Sequence, residues 1–178
     1  MSGRAKPRQQ RRRLHSPLLA AAAGAMLLQR HQVDQLMGPV RAGFTAMRQA
    51  VATELQWAHV VSAMNIADAV ATRGPVKGTH GHILAAQHAL DGYLRRAMTA
   101  GSWDPTTLVH LAEIDAIETG IEIYHHQLQH ISRSEFRRAE DYAAAEVRSA
   151  GGVALTAAAA APTTNPHPAS AQLTFAGV

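Results

Sequence analysis

The 178-residue chain contains no cysteine, and this absence excludes several classes of site at once. Without thiols there is no disulfide framework, thiolate zinc finger, iron–sulfur cluster or cysteine nucleophile. Histidine and carboxylate side chains are then the protein ligands left for a metal ion. Any metal site must therefore draw on the 11 histidines and 13 acidic residues.

Aromatic residues are also scarce, with three Phe, three Tyr and two Trp in the whole chain. Apolar residues make up 47% of the sequence, but 36 residues are alanine, which buries little surface per side chain. We therefore predict a closely packed, alanine-rich core. Trp57 and Trp103 are expected to anchor the core or a loop rather than to stack on bases.

No window shows the alternation of a half-buried strand, and apolar residues recur instead at intervals of three and four. The predicted fold class is all-α, a small helical bundle of about five helices over residues 34–149. Gly38 and Pro39 are expected to break the chain, because proline lacks the N–H donor and clashes with the preceding turn. The helices predicted after this break cover residues 40–52, 54–72, 81–100, 105–131 and 134–149.

Capping residues set the starts of these helices. Thr53 precedes residues 54–72, and Asp104 followed by Pro105 is a pair favoured at a helix start. Ser132 with Glu135 has the spacing of a capping box, in which each side chain bonds a backbone N–H of the other residue. The last helix is therefore expected to begin next to this pair.

The charge of the chain is concentrated at its N-terminus. The net charge is +4, but residues 1–15 hold six basic and no acidic residues, whereas residues 34–149 hold 10 basic and 13 acidic residues. Such a segment cannot bury enough apolar surface to fold, so we predict a disordered basic arm. Its cations suit nucleic-acid phosphates, and a solubilising or targeting tail is the alternative. The candidate nucleic-acid-binding residues are Arg4, Lys6, Arg8, Arg11, Arg12 and Arg13.

The segment after the arm allows two interpretations. A basic stretch followed by the apolar run at residues 18–28 has the layout of a signal or transit peptide. Cleavage after the small residues near Ala25 would leave only a short apolar region, and the run is too short to span a bilayer. Ser16 and Pro17 instead suit an N-cap and a first helical position. We favour an N-terminal helix or linker at residues 16–33 and a cytoplasmic location in the host cell.

One helix carries the arrangement closest to a metal site. Glu118, Glu122, His126 and His130 recur every four residues, and Glu122 with His125 forms Glu-x-x-His. Ligands on adjacent turns can hold zinc or iron, but a di-iron bundle needs a second such motif, which this chain lacks. The same positions also suit a solvated helix face. We predict no metal, no other cofactor and no catalytic residue, and keep these five residues as the metal candidates.

Arg133, Arg137 and Arg138 cluster at the start of the last predicted helix. They extend a phosphate-binding surface from the arm in one interpretation. In the other, which we favour, they belong to a balanced surface with acidic residues four positions farther along the helix. Beyond this helix, residues 150–178 are rich in alanine and proline and are predicted to form a disordered tail.

Several short motifs follow the basic arm along the chain. They are ELQW at 54–57, NIADA at 65–69, GSW at 101–103, and QL at 127–128 followed by SRSEFRRA at 132–139. Over about residues 4–148 the layout resembles small helical proteins encoded by bacteriophages, prophages and plasmids of proteobacteria. The resemblance transfers no catalytic residue, and the alanine-rich tail is not part of the pattern. It implies a context in which accessory phage genes often make non-enzymatic proteins that bind nucleic acid or disable a host factor.

These observations lead to one hypothesis and one main alternative. We predict a non-enzymatic, phage-type accessory protein that acts by macromolecular binding, associated with nucleic acid through its basic arm. The alternative is an inhibitor of a host defence system or host enzyme that acts through protein–protein contacts, and a metalloprotein ranks last. The partners considered are therefore nucleic acid, a host protein and a second copy of the chain, with no membrane partner.

Overall fold

The computed structural model describes residues 17–99 and 101–152, and within them the chain forms six helices. The predicted all-α class is confirmed. The arm at residues 1–15 and all but the first three residues of the tail at 150–178 lie outside the described residues. The helices are α1 Pro17–Ala25, α2 Arg30–Arg48, α3 Glu54–Arg73, α4 His80–Ala97, α5 Leu111–His130 and α6 Arg133–Ser149.

Helices α2 to α5 run antiparallel in sequence order, and this gives the bundle two distinct ends. The C-terminal half of α2 approaches the start of α3 where Gly43 lies against Gln56. Late α4 approaches early α5, because Gly92 lies against Glu113. We call this the hairpin end, because a short β-hairpin follows α4 there. The opposite end, where α5 passes into α6, is called the junction end.

Small residues let the helices approach closely and give the core the alanine-rich character predicted for it. Twelve of the buried apolar residues are alanines. A Cβ atom built on Gly120 of α5 would lie 2.7 Å from the Met64 sulfur of α3 and 2.8 Å from the Ala86 Cβ of α4. Larger side chains fill the space around this contact, among them Met37, Met47, Ile83, Leu90, Tyr93, Ile117 and Leu128.

The predicted break at Gly38 and Pro39 is wrong, because α2 continues through both residues. Pro39 leaves the carbonyl of Gln35 without its helical donor, but Gln35 is exposed and water can bond that carbonyl. Gly38 carries no Cβ to clash with the proline ring. Burial of Met37 and Val40 on either side of Pro39 then favours one continuous helix. Helix α2 also begins earlier than predicted, at Arg30, which is four residues before the predicted start of the bundle.

The predicted start of a helix at Asp104 and Pro105 is also wrong. Asp104 instead closes a turn, since its Oδ1 accepts hydrogen bonds from the backbone N–H and the hydroxyl of Thr106 at 2.9 and 2.7 Å. The helix begins at Leu111, where the Glu113 carboxylate accepts from the backbone N–H of His110 at 2.9 Å. Glu113 occupies the N3 position of a capping box, but His110 at the N-cap is not one of the usual capping residues, so the sequence marks this start only in part.

A short hairpin follows α4, which the sequence pattern does not predict. β1 Met98–Thr99 pairs antiparallel with β2 Ser102–Trp103, and Gly101 has φ +82°, a conformation that favours glycine. The Trp103 indole N–H donates to the Ala52 carbonyl at 2.7 Å and so ties the hairpin to the α2–α3 loop. Trp57 donates to the Leu90 carbonyl at 3.3 Å, and the two tryptophan rings lie 5.9 Å apart. Both tryptophans are anchors, as predicted.

Most of the other predicted boundaries agree with the structure. Thr53 caps α3, and Ser132 with Glu135 forms the predicted capping box at the start of α6. Helix α1 lies within residues 16–33, the segment predicted to be an N-terminal helix or linker. None of the described helices is long and apolar enough to cross a membrane.

The close approach of α2 and α3 predicts a strong effect of one added methyl group. The Cβ of a Gly43→Ala variant would lie 2.3 Å from the backbone oxygen of Gln56, so the two helices must separate. We expect the free energy of unfolding to fall by about 1–3 kcal/mol. Urea denaturation followed by circular dichroism measures this change.

Gly81 in the first turn of α4 is the matched control. A Cβ at Gly81 meets nothing within 4 Å, and alanine favours the helical conformation. Gly81→Ala should therefore leave the stability unchanged or raise it by about 0.5–1 kcal/mol. Equal losses in the two variants would show that the close approach is not what requires Gly43.

Candidate nucleic-acid interface

The N-terminal segment is attached to the junction end of the bundle by backbone hydrogen bonds. The Leu28 N–H donates to the Ile131 carbonyl at 3.2 Å, and the Arg133 N–H donates to the Met26 carbonyl at 3.0 Å. These bonds link the chain after α1 to the α5–α6 turn. Because α1 has nine residues, its first residue lies within about 14 Å of its last along the helix axis. The first described residue, Pro17, is thus one short helix away from the link to the α5–α6 turn.

Five arginines lie at this same end. Arg133, Arg137 and Arg138 are in the first two turns of α6, Arg73 is the last residue of α3, and Arg30 is the first residue of α2. We call these five residues the junction arginines. Four of them are exposed, and Arg133 is half-buried.

The junction arginines are not neutralised by salt bridges to described residues. Across residues 17–99 and 101–152, the acidic partners in salt bridges are Asp68, which faces His80, and Glu113, which faces Arg96 and His110. The favoured interpretation, in which Arg137 and its neighbours belong to a balanced surface with the acidic residues of α6, stays a prediction. Glu135 interacts with Arg138 and offsets part of the positive charge at this end.

A groove of about 560 Å³ lies between the C-terminal end of α3 and the first half of α6. Its floor is apolar, with Ala69, Val70, Ile131 and Ala139. Arg73 and Arg138 line the same groove, so two junction arginines from different helices face one concave surface. Such a surface can accept a group that combines negative charge with an apolar or planar portion.

Side-chain contacts hold the two groove arginines in place. The Arg73 guanidinium lies over the Tyr142 ring, with its carbon 3.5 Å from the ring centroid, as in a cation–π contact. The Tyr142 hydroxyl in turn donates to the Glu146 carboxylate. Arg138 donates through Nε to the Ser134 carbonyl at 3.4 Å. These contacts hold both guanidinium groups at the wall of the groove.

Glu135 is the carboxylate that lines the groove, and its first role is to cap α6. The Ser132 backbone N–H donates to its Oε2 at 2.7 Å, and the Glu135 N–H donates to the Ser132 hydroxyl at 3.2 Å. The hydrogen bonds from Ser132 lower the pKa of Glu135 below its ordinary value, and the nearby Arg138 acts in the same direction. Glu135 is thus ionised at neutral pH and offsets part of the arginine charge.

The predicted arm residues, from Arg4 to Arg13, lie outside the described residues. What the structure adds is the position at which the arm joins the domain and the arginines found there. Arg73 and Tyr142 were missed by sequence analysis, because they lie far apart in the chain and meet only when α6 packs along α3. The cluster of arginines in SRSEFRRA was the one sequence signal that pointed to this end.

The metal candidates do not converge. Glu118, Glu122, His126 and His130 are exposed on α5, and His125 is half-buried. His130 approaches the backbone carbonyl of His126 at 2.7 Å, and the two imidazole rings lie 4.2 Å apart. Within the part of the chain that the structure describes, no group of three or more His, Asp or Glu side chains is arranged to hold a metal ion.

His80 at the start of α4 contacts a carboxylate of α3. His80 Nδ1 lies 2.5 Å from the Asp68 carboxylate, and this contact joins α4 to α3. Next to it, the buried Gln127 side chain donates to the Ala67 carbonyl at 3.1 Å. These contacts fix the junction ends of α3, α4 and α5 relative to one another.

Comparison with known proteins gives no match to this chain, whether with protein-family models, curated proteins or solved structures. The resemblance to phage-encoded helical proteins therefore stays a prediction.

The depressed pKa of Glu135 predicts how the stability of the domain depends on pH. A carboxyl group with a lower pKa in the folded than in the unfolded state stabilises the fold above its ordinary value of 4.5. That stabilisation is lost as the pH falls below 4.5 toward the folded-state pKa. Glu135→Gln keeps an oxygen for the capping box but removes the titration. We expect the variant to be less stable at pH 7 by up to about 1 kcal/mol, and the difference to shrink as the pH falls below 4.5.

Urea denaturation between pH 3 and pH 7, followed by circular dichroism, tests this expectation. A constant stability difference across the whole range would contradict a role for the ionised carboxylate, because a purely steric effect does not titrate.

Proposed function

We propose that this protein acts by binding nucleic acid without catalysis, through the basic arm at residues 1–15 together with the junction arginines. The observation that carries the proposal is the backbone link between Met26, Leu28 and the α5–α6 turn. This link supports an arrangement in which the six arm cations and the arginines of α6 act on the same partner.

Electrostatics favours a polyanion as that partner. The arm has six basic and no acidic residues, and each cation can release one counterion from nucleic acid. Fifteen residues reach at most about 50 Å when extended, so the arm can follow a backbone well beyond the bundle. Contacts of this kind are made to phosphates and read no base sequence. We therefore propose binding that is strong at low salt and largely independent of sequence.

Helix electrostatics also supports a functional role for the α6 arginines. A cation in the first turn of a helix opposes the helix dipole, so Arg133 at the first position of α6 does not stabilise that helix by its charge. The resemblance to phage-encoded proteins supports an accessory role in a host cell, with the cytoplasm as the location. Both parts of this context belong to the same proposal.

Neutralising the arm tests the main part of the proposal. In the full chain, the six arm cations are replaced by glutamine, and binding to a fluorescent DNA duplex is measured from 50 to 200 mM salt. We expect the wild-type affinity to fall about 1,000-fold over this range, with a slope of about −5 in log affinity against log salt. The neutralised variant should lose most of this slope.

A variant with the same arm residues in scrambled order is the control and should bind like the wild type, because phosphate contacts depend on charge. Equal binding by the wild-type and neutralised proteins would overturn the proposal. It would favour the alternative in which a host protein is the partner.

The contribution of the domain is tested by a pair of exposed arginines at opposite ends. Arg137→Gln at the junction end should weaken binding a few-fold and reduce the salt slope by about 1, as expected for one lost phosphate contact. Arg95→Gln on α4, near the hairpin end, removes the same charge and should leave the slope unchanged. Equal losses in both variants would indicate that only the net charge matters.

A further inference from the structure

We propose that the hairpin end of the bundle is the interface through which two copies of this chain form a homodimer. This inference goes beyond the proposed binding of nucleic acid, which concerns the opposite end of the domain.

Exposed apolar side chains are concentrated at the hairpin end. Among the described residues, seven large apolar side chains are exposed. Two of them, Met26 and Leu27, precede α2 at the junction end, and five lie at the hairpin end. The five at the hairpin end, with their exposed fractions, are Val51 at 58%, Leu55 at 57%, Met98 at 41%, Leu108 at 69% and Leu111 at 76%. We call these five residues the apolar patch.

Hydrogen bonds connect the parts of the chain that carry the patch. Met98 pairs in the hairpin with Trp103, whose indole donates to the carbonyl of Ala52 next to Val51. Arg96, two residues before Met98, donates to the Leu108 carbonyl at 3.4 Å. The same Arg96 is bound to Glu113 in the first turn of α5, at 2.5 Å. The loops at this end are therefore fixed to one another, and the exposed side chains stand on a rigid support.

The size of the patch fits one side of a homodimer interface. From the exposed fractions, the five side chains present on the order of 500 Å² of apolar surface, near the upper end of what a monomer usually exposes. A standard interface buries about 800 Å² per partner, and homodimer interfaces are about 65% apolar. The apolar share of such an interface is thus about 500 Å², which is of the same order as the exposed surface of the five residues.

The charges around the patch favour a second copy over a charged partner. Arg48 and Arg95 are exposed near it, and so is Glu54, while Arg96 and Glu113 are bound to each other. This mixed rim lacks the excess of positive charge that nucleic acid or an anionic lipid surface attracts. A two-fold axis, in contrast, brings the same patch of each copy together and can place opposite rim charges against each other.

The C-terminal tail is the competing occupant, because Gly152 lies beside Trp57 in a groove between α3 and α6. Residues 153–178 contain five large apolar residues, two before the alanine run and three in the last six residues, with alanine, proline and polar residues between them. The tail therefore offers no single apolar segment to cover the patch. A second copy offers a surface of equal size and the same apolar character.

The test measures the mass of the full-length protein in solution by analytical ultracentrifugation. We expect the wild type to have twice the 19.0 kDa of the chain. The double variant Leu108→Glu, Leu111→Glu should raise the dimer dissociation constant at least about 100-fold, since four buried leucines are lost per dimer. Leu27→Glu alters another exposed leucine, at the junction end, and should leave the dimer intact. Circular dichroism checks that the variants keep the helical content of the wild type.

The absence of cysteine allows a second measurement that does not disturb the patch. Leu111→Cys, Met98→Cys and Val51→Cys each introduce a unique thiol, and a short bis-maleimide should link two copies through at least one of these positions. Leu27→Cys is the control and should remain uncrosslinked.

Three results would overturn the proposal. The first is a wild type that stays monomeric up to about 100 μM, where even a weak interface is populated. The second is a dimer that the glutamate variant does not weaken and that no patch thiol can crosslink. The third is a protein that dimerises only after residues 153–178 are removed, because the tail would then be the occupant of the patch.

Discussion

The close packing of helices around α3 is the constraint on which the rest of the structure depends. Helix α3 contacts α2, α4, α5 and α6, and small residues allow these approaches, as at Gly43 against Gln56 and Gly120 against Met64. With so few aromatic residues, the domain gains stability from many short contacts rather than from a few large side chains. The arrangement leaves little room for adjustment, because each close approach involves backbone or a neighbouring core side chain.

The packing of α6 along α3 also produces the candidate interface. It brings Arg73 at the end of α3 to the groove that Arg138 and Tyr142 line from α6. The same arrangement sets the α5–α6 turn beside the segment that follows α1. The arginines of α6 and the segment that follows α1 are therefore neighbours in the fold, although they are far apart in the sequence.

Local signals predicted the parts of this fold that depend on local interactions. The capping residues Thr53 and Ser132 fixed two helix starts, since an N-cap acts within one turn. The pattern failed at Pro39, where burial of flanking residues decides the outcome, and at Asp104, where a turn with Thr106 and a hairpin tied to Ala52 replace the predicted helix start. Burial of Met37 and Val40 carries α2 through the proline, and the Trp103 bond to Ala52 holds the chain after α4 in a hairpin. The arm charges were visible in the sequence, but the pairing of Arg73 with Tyr142 needs the tertiary structure.

The two proposals place nucleic-acid binding at the junction end of the bundle and dimer formation at the hairpin end. Both can occur in the same molecule, because the two surfaces lie at opposite ends. Helix α3 has 20 residues and is about 30 Å long, so two copies joined at their hairpin ends would present their junction ends about 60 Å apart. Each end carries an arm that reaches about 50 Å when extended. A dimer could then contact one nucleic acid at two places, and the second contact would form at a high effective concentration. Dimer formation would therefore raise the affinity for nucleic acid even though each phosphate contact is weak and independent of sequence, because two linked contacts bind more tightly than one.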